Sequence, residues 1–117
     1  VEVTTLDAYA EAKDLKQIDF CKIDTQGCSL QVLAGARGLL AAGRIGILQI
    51  EILFSRYYES SETFGEIEAL LQPHGYRFYT LLDTDTHHVG HSYLNPRTGE
   101  TQHVDCLYVH EDYISFT

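Results

Sequence analysis

No methionine and no tryptophan occur among the 117 residues, and the chain has only two prolines and three cysteines. A chain without methionine that opens on Val1 reads as an excerpt from a longer protein or a processed product. Cys21, Cys28 and Cys106 are odd in number and show no Cys-x-x-Cys spacing, which excludes a self-contained disulfide framework and fits free thiols in a reducing compartment. Positive charge is scarce: eight Lys and Arg against seventeen Asp and Glu leave a formal charge of −9. That balance repels a phosphate backbone and excludes nucleic acid as a partner. Long apolar runs are missing too, as is a basic-then-apolar leader. The expectation is therefore a cytoplasmic protein with no membrane span and no signal peptide. What is present is ordinary for a globular chain, 44% hydrophobic and 21% charged residues, in a length that holds one domain.

The patterning alternates between strand and helix. Asp7 precedes the alanine-rich "AYAEAKDL", a short helix whose first amides its carboxylate is placed to accept from. Ile18, Phe20 and Ile23 make "IDFCKID" a buried strand too short for a helix. Ser29 is expected to cap one helix carrying Leu30, Leu33, Arg37 and Leu40 at helical spacing, stopped by Gly43. "IGILQIEIL", Ile45 to Leu53, is nearly continuous Ile and Leu and predicts a central parallel strand covered on both faces by helices. Thr63 with Glu66 forms a capping-box pattern, and the helix it opens closes at Pro73 and Gly75 before a third strand, "YRFYTLL". The turn signals in "SYLNPRTGETQHV" and the extended "DCLYVHE" predict a long antiparallel hairpin. The fold class is thus α/β, a mostly parallel sheet with a terminal antiparallel hairpin.

In such sheets ligands sit beyond the carboxyl ends of the parallel strands. Asp24 occupies that point on the first strand and Glu51 lies near it on the next, so Asp24, Gln26, Glu51 and the amides from Gly27 to Ser29 are placed to line one cleft. An acid there binds a hydroxyl, takes its proton or holds a cation, and equally an aspartate after a strand caps the next helix. Phe54, Arg56, Tyr57 and Tyr58 follow the second strand, where aromatic rings either stack on an acceptor or pack the connection. His87, His88, His91 and His103, with Asp105 and Cys106, make a histidine-rich tail. Extended strands alternate faces and scatter such ligands, so a solvated hairpin is expected there and no metal site. Cys28, at a helix start, reads as a packed or partly exposed thiol and not as a nucleophile.

The stretch "TTLDAYAEAKDLKQIDFCKIDTQGCSLQVLAGARGLL" resembles the FkbM-type methyltransferases. Thr5, Leu6, Asp7, Ile18, Asp19, Lys22, Ile23, Asp24, Gly27, Val32, Leu33, Gly35 and Ala36 match that family's pattern. "ILQIEI", "EIEALLQPHGYRFYTL" and "CLYVHED" are similar to later segments of it. The resemblance implies a Rossmann-like methyltransferase sheet of seven strands with an antiparallel last hairpin. It also implies transfer of a methyl group from S-adenosylmethionine to a hydroxyl of a sugar, a glycan or a secondary metabolite. By carry-over Asp24 is the family acid at the end of the fourth strand and Glu51 the acid on the fifth.

Two departures qualify this reading. Gln26 stands where the family usually has glutamate, and Ser29 where a second glutamate is frequent. Glutamine keeps the reach but neither carries charge nor acts as a base. No glycine-rich turn between a strand and a helix precedes these segments, so residues 1–117 are expected to be a partial domain, strands four to seven, without the cofactor-binding half. The chain alone is then expected to bind no S-adenosylmethionine and to be inactive, a fragment of an O-methyltransferase acting on a small-molecule or glycan acceptor. The alternative is a non-catalytic binding or oligomerisation module. An uncovered fourth-strand edge calls for a cover, and the expectation is a homodimer through that edge, with a segment such as "VEVTT" folded across it as the alternative.

Overall fold

The computed structural model describes residues 1–25, 27–53, 63–82 and 103–113. The first helix, α1 (Leu6–Ala12), is started by Thr5 and not by Asp7. Thr5 is extended, and its Oγ1 accepts a hydrogen bond from the Ala8 amide at 3.1 Å, as an N-cap side chain does. Asp7, expected to be the cap, lies inside the first turn and its carboxylate reaches elsewhere. Oδ2 accepts from the Gly38 amide at 2.8 Å and Oδ1 from the Leu39 amide at 3.0 Å, while the Asp7 amide donates to the Gly35 carbonyl at 2.9 Å.

Those three bonds account for a second correction. The apolar spacing after Ser29 predicts one helix, but the chain forms two, α2 (Ser29–Ala34) and α3 (Arg37–Ala41). A continuous helix would send the Gly38 and Leu39 amides to carbonyls four residues back. Here the helix restarts, those amides are free at its first turn, and Asp7 satisfies them. The approach is close on both sides of the break. A Cβ added at Gly35 would lie 3.2 Å from the Thr5 Cβ, and one at Gly38 would lie 3.1 Å from Asp7 Oδ2. Ser29 is likewise not the cap: it is the buried first residue of α2, and Cys28 is the N-cap, with no side-chain bond to the helix.

Gly43, at φ 63, turns the chain out of α3 into the sheet. Four strands follow the order β1-β2-β4-β3: β1 (Ile18–Ile23), β2 (Ile45–Leu53), β3 (Tyr76–Leu82) and β4 (His103–His110). β1 and β2 are parallel, with Ile18 level with Ile45 and Ile23 with Ile50. β4 runs antiparallel to both β2 and β3. The sheet is therefore mixed, and the expectation of a mostly parallel one is corrected. β1, β2 and β3 do share a direction. The antiparallel last strand enters between β2 and β3 instead of adding at the outside, so only one neighbouring pair remains parallel. Most of the predicted tail hairpin falls outside the described residues, although β3 and β4 pair antiparallel.

The second half of the helical cover is α4 (Phe64–Leu71), opened by the predicted capping box: the Thr63 amide donates to Glu66 Oε2 at 2.8 Å. A 3-10 turn (Gln72–His74) carrying Pro73 and a left-handed Gly75, φ 85, close it. Leu33, Leu39 and Leu40 from α2 and α3, with Ile67 and Leu71 from α4, pack into one core with Ile23, Leu48, Ile50, Ile52, Cys106 and Tyr108. Each such aliphatic side chain contributes roughly 1.5–3 kcal/mol of burial. β2 is not covered equally on its two faces. Leu48, Ile50 and Ile52 are buried, whereas Ile47, Gln49 and Glu51, on the opposite face by alternation, are only partly so. The strict alternation L-Q-I-E-I already carries that signal. β1 is the edge of the described sheet, with Phe20 half-exposed on it.

Because hydrogen bonds to a charged group are worth about 1.5–3 kcal/mol, Asp7→Ala is expected to lower the urea-unfolding free energy by about that much. Thr5→Ala, which removes one neutral cap, should cost about 1 kcal/mol. An Asp7→Ala variant no less stable than Thr5→Ala would contradict the bridging role.

Candidate functional site

Strand β1 delivers its last side chain, Ile23, into the core and then leaves the sheet, so the next residue emerges at the carboxyl end. That residue is Asp24, about half exposed, with the Lys22 ammonium 3.7 Å from its Oδ2. A pair this exposed and this long is worth at most about 1 kcal/mol, so it does not hold the strand in place. The chain turns through Gly27, φ 93, into Cys28 and α2. This left-handed conformation costs a residue with a Cβ roughly 1–2 kcal/mol, which is why glycine stands there.

Register supplies the rest. Ile23, the last residue of β1, is level with Ile50, so Asp24 leaves the sheet just past the β1–β2 pairing, and Glu51 is the next residue along β2. Glu51 in turn faces Asp105 on β4. Glu51 and Asp105 thus make a cross-strand pair of carboxylates one residue past the end of the β1–β2 pairing. Like charges directly opposite on one face of a sheet are unfavourable. The Gln49 side-chain amide offsets part of this by donating to Asp105 Oδ2 at 2.6 Å. Gln49 and Asp105 were not singled out for this site from the sequence. The signal was available in the same alternation that places Gln49 and Glu51 together, but the partner strand could not be known before the sheet order was.

Gln26 lies outside the described residues, as do Phe54, Arg56, Tyr57 and Tyr58 and the histidines at 87, 88 and 91. Asp105 and Cys106 are neighbours on β4, so they point to opposite faces. Among the described residues no group of three or more His, Cys, Asp or Glu is placed to hold a metal ion, and no helix is long and apolar enough to cross a membrane. A cleft of about 390 Å³ lies elsewhere, lined by Asp7, Glu11, Asp14 and Arg44 among others. Its polar groups are largely committed to the fold: Asp7 holds α3, and the Arg44 guanidinium donates to the Leu15 and Lys16 carbonyls.

The three thiols differ in environment. Cys28, expected to be a packed or partly exposed thiol, is exposed beside the candidate site, and Cys21 is half-buried with its thiol pushed up by burial. Cys106 is fully buried, and burial first, then the Asp105 and Glu68 charges, push it up to about 12. Burial likewise pushes the Tyr76 phenol up to about 12, and burial followed by the adjacent Glu68 carboxylate raises Tyr108 further.

Set against known proteins, the Methyltransferase FkbM domain matches residues 1–78, more than half of the chain. No curated protein and no solved structure matches it.

The pKa shifts carry a sign. Groups that hold their protons more tightly in the folded chain stabilise it fully below the unfolded values, about 8.5 for a thiol and about 10 for a phenol. That contribution is lost as pH rises toward the folded ones. The urea midpoint should accordingly stay flat with respect to these groups near neutral pH and fall above about pH 9. A thiol reagent at pH near 8 should label Cys28 quickly and Cys106 only on unfolding. Equal labelling rates would contradict the burial of β4.

Proposed function

The chain belongs to the FkbM methyltransferase domain family, and on that premise we propose that it is the acceptor-side portion of an S-adenosylmethionine-dependent O-methyltransferase with a Rossmann-like sheet. One observation carries the reading. Within the matched region, the acid that ends β1 is neither buried nor used as a helix cap, and stands at the carboxyl end of a parallel pair. β1, β2 and β3 sharing one direction, with the last strand antiparallel, supports the fold assignment.

S-adenosylmethionine supplies an electrophilic methyl group in the intact family. The described residues do not themselves fit a site for it. Gly27 is buried and is the one glycine at a described strand-to-helix turn, where a glycine-rich loop would be needed for close backbone approach. The contribution of this chain is therefore on the acceptor side. Asp24 accepts the hydrogen bond of an acceptor hydroxyl, fixes the direction of its lone pair and takes its proton as the oxygen is alkylated. Glu51, on the neighbouring strand β2, accepts from a neighbouring hydroxyl. Gln26 orients without ionising. The acceptor class is a hydroxyl of a sugar, glycan or secondary metabolite, in a cytoplasmic setting consistent with three free thiols.

A second reading, a folded but non-catalytic module, is favoured for the chain by itself by that same lone glycine turn. Thermal-shift titration with S-adenosylhomocysteine tests the premise both share, that the methyl donor is not bound here, because a ligand of the folded form raises its apparent stability. No shift is expected for these 117 residues; a rise of several degrees would overturn the acceptor-side assignment. In a protein that contains this chain and methylates, Asp24→Asn should lower kcat by about 10²–10⁴-fold with little change in KM for the methyl donor. Retention of the parental rate would remove Asp24 as the base.

A further inference from the structure

At the opposite end of the sheet from Asp24, the last described residues fold back on the starts of β1 and β2. Tyr113 Oη donates to Asp19 Oδ1 at 3.1 Å, and its ring lies so close over Gly46 that an added Cβ there would sit 2.4 Å away. What holds this turn is His110, the last residue of β4, only 8% exposed. The Asp112 amide donates to His110 Nδ1 at 3.2 Å, the Tyr113 amide donates to the His110 carbonyl at 2.9 Å, and His110 Nε2 lies 3.1 Å from the His74 carbonyl. An amide N–H can only donate and a carbonyl can only accept. Nδ1 must therefore be bare and Nε2 must carry the hydrogen, which fixes one neutral tautomer.

We propose that His110 is a proton-operated latch: as the neutral Nε2–H imidazole it keeps the 111–113 turn closed and Tyr113 on Asp19, and a second proton taken from solvent at Nδ1 opens that turn. The added N–H would point at the Asp112 amide, donor against donor, and the ring has little room to rotate away. A Cβ at Gly43 would come within 2.8 Å of the ring and one at Gly75 within 3.1 Å, so both walls are backbone already in contact. The Tyr76 ring closes a third side, edge to face at 5.0 Å.

The charged and titratable groups around the ring do not replace the lost bond. Glu111 is paired with the Arg77 guanidinium of β3 at 3.0 Å, and Asp112 presents its amide to Nδ1. From the 3-10 turn, His74 offers its carbonyl, while its ring lines a separate small cavity. Arg44, on the turn between α3 and β2, is committed to the Leu15 and Lys16 carbonyls, and Tyr76 donates to the Ile45 carbonyl at 2.8 Å. The Glu111 amide, bonded to the Gly75 carbonyl at 2.9 Å, keeps the root of the turn attached when its tip is released. The opening is therefore local.

Nitrogen–proton correlation spectra of the imidazole rings in the full chain test this across a series of falling pH. At the start of the series His110 should show the Nε2–H tautomer. As it takes its second proton, the Asp112 and Tyr113 amides and the Tyr113 ring should shift with the same midpoint, and exchange of the Tyr113 amide should quicken at least about tenfold, the loss of one local protecting bond. His74, read separately, should not move them. His110→Gln should leave the turn without a pH response; if that variant does not fold, the ring spectra of the unaltered chain decide. An Nδ1–H tautomer, protonation of His110 with the Tyr113 contact intact, or global unfolding at the same midpoint would each overturn the latch.

Discussion

A single carboxylate, that of Asp7, ties the first helix to the third and thereby decides where the helical layer bends. Without acceptors for the Gly38 and Leu39 amides, α3 would start with two unsatisfied donors. With Asp7 in place, the chain stops one helix at Ala34, restarts at Arg37 and presents Leu33, Leu39 and Leu40 together to β2. The close approaches at Gly35 and Gly38 leave no room for larger residues without movement of Thr5 or Asp7. Several residues of the family pattern, Thr5, Asp7 and Gly35, therefore have a structural explanation that involves no chemistry.

Asp24 belongs to a different category. It holds no helix, caps no amide among the described hydrogen bonds and forms only a long exposed pair with Lys22. It follows the last paired residue of β1, beyond which Glu51 of β2 stands opposite Asp105 of β4. Asp7 and Glu66 thus serve the backbone, whereas Asp24 follows the carboxyl end of β1 and bonds no backbone amide among the described hydrogen bonds.

Much of this was legible in the residues themselves. Capping signals located α4, and the order of strands and helices followed from periodicity, because both depend on local backbone chemistry. Two caps fell one or two residues from where they were expected, at Thr5 and Cys28, and the larger failures were long-range. The break between α2 and α3 comes from a carboxylate some thirty residues away, to which spacing is blind. The mixed sheet comes from where β4 inserts, a choice made by the whole sheet and not by β4's own residues. Asp105 joined the candidate site only once β4 lay beside β2, whereas Asp24 was visible from the start because strand end and family pattern coincide there.

The separation of Asp24 from the acids that hold the backbone is tested most directly by equilibrium urea unfolding of Asp24→Asn. A half-exposed acid with no structural duty should be replaceable within about 0.5 kcal/mol of the parent chain, the usual range for surface substitutions away from caps and cores. A loss of about 2 kcal/mol or more would show that Asp24 supports the β1-to-α2 turn, and the reason for assigning it to an acceptor site would be gone.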